Sequence, residues 1–576
     1  MTLCGISLPF GRTKEDFRAA FAEDSDATNL SHVGTAVYET LRKKHSWHHN
    51  KLWNVTTGKV IGELQHTPGP SVFSRNADPN TGHSDWFPEK MIEVMSKTEV
   101  WCDVLSLAPP DGVFLEKCKE AIKTISERAK EVDPVTKMVK KTVVLRMIFG
   151  NLPAMPINCD AVLKKLTEDL PKDGTANIHI WVGSWRIGTS WNHAKIIAVD
   201  GKHLHTGGHN LWDAHYLRKK PVHDLSVELE GYITNDGHEF ANYHWNFIRK
   251  KQDTCIGQIA ERIPDSMPLA WKTRVIVSEF PESVAPEFPP VFQYNYVPAY
   301  EKLESSVPMI AVGRLGSLMG ASSPILHKDR PSDDAFIAMI DSAHQIIKMT
   351  LQDLGPVCIP GTKIPLPGLK WPKPYLNALA RVIWQKGVDV EIILSNPGSI
   401  PNDLSPTEAC YGNGWSCVDV CAEIIKRVKK QFPFAEDDEI RKKVTDNLRV
   451  CFIRHAQGQA YADGSSIGLH SKHFIVDDVA CYIGSQNLYV CDLAEWGIMI
   501  DHAGTVQKML EEHWDPMWKA SYTQEDVDVQ EVMDSLDIDR DGEDEKHVSE
   551  NTKKLLANQK VSENFSSANP EFYGKD

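Results

Sequence analysis

Two stretches of this chain carry the same polar residues at the same intervals. His193, Lys195, Asp200 and Asn210 form one set; His470, Lys472, Asp477 and Asn487 form the other. In each set lysine stands two positions after histidine, aspartate seven and asparagine seventeen. An imidazole titrates near pH ~6.5, so it can act as base, acid or nucleophile. An ammonium and an amide beside it supply hydrogen-bond donors for anionic oxygens. A lone histidine on a strand is more often structural than chemical, and one short motif is weak evidence. Two copies with every interval matched point to a duplicated architecture that keeps its polar residues.

The elements that must position these side chains are hairpins. Ile196 to Val199 and Phe474 to Val476 are apolar and mostly β-branched, which predicts buried strands. Side chains two apart on a strand share a face, so each histidine points the same way as its lysine. Asp200-Gly201 and Asp477-Asp478 suit hairpin tips, and these two aspartates are expected to be structural. Return strands His203 to Thr206 and Val479 to Ile483 bring Asn210 and Asn487 back beside the histidines. Asp224 and Glu495 stand at comparable points after each hairpin and are the candidates for orienting the imidazoles.

Around each hairpin the same order recurs. Val100 to Leu107, Thr142 to Phe149, Ile178 to Val182 and Val222 to Leu229 are expected strands of the first half. Leu115, Cys118, Ile122, Ile125 and Ala129 mark an amphipathic helix. Ile346 to Leu351, Val388 to Leu394, Leu448 to Ile453 and Glu495 to Ile500 are the strands of the second half, with a helix through Leu376, Leu379, Val382 and Ile383. Strands alternating with helices predict α/β layers. The expected division is an N-terminal extension over 1–85, a first half over 86–262, a proline-rich irregular linker over 263–307, a second half over 308–525 and an acidic tail over 526–576. Phe17, Ala20 and Phe21 could line a short helix in the extension. The His45, Trp47, His48, His49 run fits no standard zinc spacing. In the tail, Asp537, Asp539, Asp541 and Gly542 open like a calcium loop. The position that should close it with a carboxylate is Val548, so a solvated acidic tail is expected there.

The doubled His-x-Lys-x4-Asp pattern, each copy followed by Gly-Gly/Ser-x-Asn, resembles the phospholipase D superfamily. Ser190 to His193, Val307 to Gly313, Gln352-Asp353-Leu354, Tyr461 to Gly464 and Tyr482 to Tyr489 are similar to the secreted actinomycete branch. The resemblance spans roughly Trp86 to Tyr522. It implies two α-β-α sandwich halves with the active site at their interface, and each carboxylate paired with the histidine of the opposite half. It also implies that His193 attacks phosphorus while His470 protonates the leaving head group and later activates water. Asp commonly stands in that branch where this chain has Glu495. Hydrolysing a phosphodiester needs charge neutralisation, an in-line nucleophile and an acid. Lys195, Lys472, Asn210 and Asn487 would hold the nonbridging oxygens, and no metal or cofactor is called for. Trp181, Trp185, Trp191 and Trp212, with the Gly412 to Trp415 loop, are candidates to meet a lipid, although most tryptophans are core.

Composition narrows the partners. The net charge is −15, and no basic, aromatic-interleaved groove is evident, which weighs against a nucleic-acid substrate. The expected partners are a phospholipid substrate and, transiently, a membrane surface, with the protein a monomer. Met1 to Phe10 lacks the pattern of a secretory signal, and no apolar run of about 18 residues exists. The twelve scattered cysteines follow no zinc or disulfide framework. A cytoplasmic or peripheral membrane location with reduced thiols follows as the expectation, with non-classical secretion left open. A nuclease or other phosphodiesterase on the same scaffold, or an inactive lipid-binding relative, remain alternatives.

Overall fold

The structure is a computed structural model of the chain. It describes residues 29–69, 86–252, 275–277, 289–293, 304–316 and 330–536, apart from short breaks within those ranges. The Phe17 to Phe21 helix, the acidic loop after Asp537 and most of the 263–307 linker lie outside the described residues.

The strands are β1 (Trp53–Val60), β2 (Gln65–Thr67), β3 (Trp101–Ser106), β4 (Val143–Gly150), β5 (Ile178–Ile187), β6 (Ser190–Trp191), β7 (Ile196–Val199), β8 (His203–Gly207) and β9 (Asp224–Glu230). They continue with β10 (Val275–Val277), β11 (Val307–Arg314), β12 (Ile346–Leu351), β13 (Asp389–Leu394), β14 (Leu448–Phe452), β15 (Lys472–Val476), β16 (Ala480–Gly484) and β17 (Glu495–Ile500). One sheet runs β10-β5-β4-β3-β7-β8-β9. The other runs β14-β13-β12-β15-β16-β17-β11. In each, three parallel strands meet an antiparallel hairpin and then the strand that starts with a candidate carboxylate. The sequence repeat is therefore a structural repeat of six strands. The expected α/β architecture of two similar halves is the one observed.

Alternation along the strands assigns each face. Ile197 and Val199 pack outward with the helices Trp86–Ser96, Gly112–Ala129 and Cys159–Leu166. Ile196 and Ala198 point the other way, into a core shared by both sheets and by the helix Ile233–Gln252. In the second half Phe474 and Val476 face the outer helices and Ile475 faces the shared core. Leu115, Cys118, Ile122, Ile125 and Ala129 are all buried, as their spacing predicts. Each such side chain contributes about 1.5–3 kcal/mol on burial when large and aliphatic. The shared core is thus a continuous apolar slab that holds one half against the other.

Three stretches depart from expectation. Residues 53–60, within what reads as an irregular extension, form a strand that stitches the sheets together. Trp53 to Gly58 pair with β11, and Lys59 and Val60 pair with β9. The proline-rich linker is not irregular throughout, because Val275–Val277 pairs antiparallel with Trp181 to Gly183 of β5. Its β-branched Val-Ile-Val run favours a strand, and the prolines on either side mask that signal. The stretch after Tyr522, read as disordered or loosely helical, begins with a helix, Val529–Ser535, and departs from expectation in that its Val529, Val532 and Met533 are buried in the outer core of the second half.

The two hairpin-tip aspartates are anchors. Asp200 accepts hydrogen bonds from the backbone N–H groups of Glu99 (2.7 Å), Val100 (3.0 Å) and Trp101 (2.7 Å), fixing the start of β3. Asp477 does the same for His344 (2.8 Å), Gln345 (2.7 Å) and Ile346 (3.0 Å) at the start of β12. Both sit in the left-handed region, at φ 53 and φ 51. Replacing either with alanine strands three backbone donors and should lower unfolding stability by roughly 2–4 kcal/mol. Denaturant melts of Asp200→Ala and Asp477→Ala check this, and an unchanged midpoint would refute the anchoring role.

Candidate active site

The two motif histidines meet at the seam between the sheets because the backbone before each is zipped to the opposite half. Asn192 bridges Ala494, the residue before Glu495, and Leu469 bridges His223, the residue before Asp224. The His193 N–H donates to the Ala494 carbonyl at 2.8 Å, and the His470 N–H to the His223 carbonyl at 2.7 Å. Each histidine is thereby delivered to the carboxylate at the start of the other half's strand. His193 Nδ1 lies 2.9 Å from Glu495 Oε2, and His470 Nδ1 lies 2.6 Å from Asp224 Oδ2. The ring centroids are 6.5 Å apart with planes at 77°. With both Nδ1 atoms on carboxylates, both Nε2 atoms remain for chemistry.

The other predicted residues gather around the rings. Lys195 Nζ donates to the His193 carbonyl at 2.6 Å, and Lys472 Nζ donates to the His470 carbonyl. An ammonium has three N–H groups, and each of these bonds uses one. Asn210 and Asn487 are buried, and the Asn210 side-chain nitrogen and oxygen and the Asn487 oxygen make no hydrogen bond. Buried amides without partners are costly in a finished core, so a polar occupant of the site would satisfy them. Of the four tryptophans, Trp181 and Trp185 are fully buried, whereas Trp191 and Trp212 retain slight exposure at 8 % and 5 %.

Further residues at the site escaped the sequence reading. The Tyr216 hydroxyl donates to Asp224 Oδ2 at 3.0 Å and accepts from the Asn210 N–H at 3.3 Å. Tyr411 meets the His470 ring edge-on, with centroids 5.2 Å apart. The Ser485 hydroxyl donates to Glu495 Oε2 at 2.6 Å. Gly208 is its counterpart in the first copy, where a Cβ would fall 2.0 Å from Asp224 Oδ1. That one difference between the copies, Gly against Ser, was visible in the sequence. Arg314, cross-strand partner of Glu495, reaches to within 4.0 Å of Glu495 Oε1.

Burial dominates the electrostatics. It pushes His193 below its ordinary value, with Glu495 opposing and Lys195 and Lys472 assisting. It also pushes His470 well below its ordinary value, again against its carboxylate. Burial would raise Asp224 and Glu495, but the facing imidazoles and nearby cations overcome it and hold both below the usual carboxylate range. Lys472 is pushed down to about 8 by desolvation. Desolvation pushes Lys195 well below its ordinary value too. The arrangement sets two carboxylates, two lysines and two imidazoles around one buried space, and a leaving group could be protonated there only after one imidazole takes up a proton.

A different histidine group lies beneath. His223 Nε2 and His513 Nε2 are 3.0 Å apart, with His66 and His473 packed against His513. None of these is in the chemical motif. His32, His344 and Asp477 also cluster. The His32 and His344 rings stack 4.7 Å apart at 16°, so their in-plane lone pairs do not converge, and Asp477 is already taken up by backbone donors. Near Trp47, His45 Nε2 pairs with Asp334 at 2.7 Å. The nine described cysteines are all buried. No helix among the described residues is long and apolar enough to cross a membrane.

The site is a duplicated histidine–lysine motif closed across a seam, with each histidine on the other half's carboxylate. No family model matches the chain. It is 25 % identical over 548 residues to a phospholipase D of Streptomyces antibioticus, an alignment covering 87 % of this chain and 89 % of that protein. Both the doubled motif and this similarity over most of the two chains liken the protein to the phospholipase D superfamily. Among solved structures, the phosphatidylserine synthase of Haemophilus influenzae matches with a TM-score of 0.45 and 13 % identity, covering 87 % of this chain and 96 % of that one. The phospholipase D family member Nuc of Salmonella typhimurium matches with a TM-score of 0.19 and 17 % identity over 32 % of this chain and 86 % of that one. Neither superposition bears on the assignment of substrate.

The buried imidazoles make a stability prediction. His66 and His223 are pushed down to about 3 and His473 to about 4 by burial, and His513 falls well below its ordinary value. In the unfolded chain each would titrate near pH ~6.5. Below that pH the unfolded state binds more protons, so stability falls as pH drops through 6.5 toward the folded values. Each group adds a slope of about 1.4 kcal/mol per pH unit in that window. The protein should unfold with uptake of several protons between about pH 6 and pH 4. Near-ultraviolet circular dichroism with proton-uptake titration tests this; flat stability down to pH 4 would contradict it.

Proposed function

We propose that the chain hydrolyses glycerophospholipids to phosphatidic acid and the free head-group alcohol through a phosphohistidine. The observation that carries this reading is the crossed pair of imidazoles, 6.5 Å apart, each backed by a buried carboxylate of the other half. That spacing admits one phosphorus between two Nε2 atoms. His193 Nε2 attacks phosphorus, the bond to the head-group oxygen breaks, and that oxygen takes both electrons of the bond and a proton from His470 Nε2. His470, now neutral, takes a proton from water as the water oxygen attacks phosphorus. The P–N bond breaks and His193 is regenerated. Lys195, Lys472, Asn210 and Asn487 hold the nonbridging oxygens as charge builds on them. Glu495 and Asp224 fix each imidazole through Nδ1, as the carboxylate does in a hydrolase triad. An alcohol in place of water would give head-group exchange by the same second step.

The lipid preference rests on the similarity to a phospholipase D and on the chain's acidic charge, which disfavours a polyanionic nucleic acid. Contact with the membrane surface is then transient, and a monomer suffices because both halves lie in one chain.

The purified protein should release choline from phosphatidylcholine vesicles. His193→Ala and His470→Ala should each lose on the order of 10³-fold or more. In His470→Asn a phosphoryl adduct should accumulate on His193 and be visible by mass spectrometry of acid-free digests. Cleavage of single-stranded DNA without release of any lipid head group would select the nuclease reading instead. Turnover of neither would leave a lipid-binding protein.

A further inference from the structure

The duplication permits a comparison position by position, and it exposes one charged difference. Each candidate carboxylate opens a strand that pairs, on its outer side, with an antiparallel neighbour. In the first half Asp224 stands opposite Thr67. In the second half Glu495 stands opposite Arg314. Thr67 is neutral, and its hydroxyl bonds to the Val222 carbonyl at 2.9 Å and lies 3.1 Å from His209 Nε2. Arg314 carries a permanent cation with its Nη2 4.0 Å from Glu495 Oε1. The remaining fixed charges are balanced between the halves, since each has one motif lysine and each carboxylate accepts one hydroxyl, from Tyr216 or from Ser485.

We propose that Arg314 is the positioning residue that makes the two histidines unequal, by drawing charge from Glu495 so that His193 stays neutral and attacks while His470 carries the proton. This rests on the proposed two-histidine reaction and extends it. Burial alone does not make the assignment, because it depresses both imidazoles. A phosphodiester anion between the rings raises both. What separates them is fixed charge, and the register places the unmatched cation behind the carboxylate of His193. Arg314 is buried and held from its other side, with Nη1 donating to Asp333 Oδ1 at 2.9 Å. Asp333 is itself held by the Tyr375 hydroxyl and by Gln486 at 2.8 Å, and Gln486 is the neighbour of Asn487. The guanidinium is thus locked to the motif loop as well as to the carboxylate.

The groups facing the two rings are these. Glu495, Lys195, Lys472 and His470 surround His193. Asp224, Lys472, Lys195, Tyr216 and Tyr411 surround His470. Asp333, Glu495, Tyr375 and Asp492 face Arg314. No cation of the second group is without a counterpart in the first.

Histidine-selective NMR titration of the substrate-free protein reads the effect directly. Arg314→Gln should raise the His193 titration by about one pH unit and move His470 by much less. The acid limb of kcat/KM should move with it. Arg314→Lys, which keeps the charge, should stay near wild type. Asp333→Asn keeps the cation but removes its counter-charge, so it should shift His193 the opposite way; it also serves if Arg314→Gln does not fold. Equal shifts in both histidines, or none, would overturn the proposal, since a purely structural arginine would lower activity without moving the titration. Because the titration needs no substrate, failure to hydrolyse phospholipid would sink the proposed function and leave this test standing.

Discussion

The site depends on a backbone constraint: two short parallel bridges, Asn192 to Ala494 and Leu469 to His223, join the halves immediately before the motif histidines and their carboxylates. A side-chain contact alone would let each imidazole swing. Here the main chain of each histidine hydrogen-bonds to the segment that leads into the opposing carboxylate, so ring and partner are set by the same peptide units. Neither half alone pairs its motif histidine with a carboxylate. The shared apolar slab under the seam, with β1 paired to both sheets, holds the bridges in register. Separating the halves would break both pairs at once and expose two carboxylates and two ammonium groups that are stable in the interior only as a set.

That constraint explains what sequence could and could not reveal. The hairpins were legible because they are local: Ile196 to Val199 and Phe474 to Val476 fix strand identity, and seven residues from histidine to aspartate fix the turn. The roles of Asp200 and Asp477 as anchors followed from their place at the tips, and three backbone donors converge on each. Arg314 was not legible. It matters through cross-strand register with a residue 181 positions later, and register between distant strands leaves no periodic trace. β1 was missed for a related reason. Its alternation covers only Trp53 to Thr56 and breaks at Thr57 and Gly58, just before the strand passes from β11 to β9. The helix at Val529–Ser535 was hidden by the acidic residues around its three apolar contacts.

The copies show which features the fold demands and which are free to differ. Histidine, lysine, anchor aspartate and amide are the same in both. The position after the first glycine of the loop differs, Gly208 against Ser485, and so does the carboxylate, Asp224 against Glu495. These changes are linked by space. Gly208 leaves room for Asp224 to lie against the loop backbone, where a Cβ would collide with its carboxylate. Ser485 fills that room with a hydroxyl that donates to Glu495. Each half solves the same problem, holding a buried carboxylate at hydrogen-bond distance from an imidazole, with a different pair of residues.

Charge balance then constrains the chemistry. The two carboxylates face two lysines across the seam, and Arg314 with its Asp333 partner stands behind one of them. A phosphodiester brought into this cluster adds one negative charge in a low-dielectric setting, where an unbalanced ion costs several kcal/mol. The least costly remedy is uptake of one proton, and the only neutral bases in contact with the anion are the two imidazoles. On the proposed reaction, one imidazolium beside one neutral ring is the pair of states that attack and leaving-group protonation require. The site needs no preset difference in the unliganded protein to reach that state. It needs only a bias that decides which ring takes the proton, and in our proposal the Arg314 cation behind Glu495 supplies it.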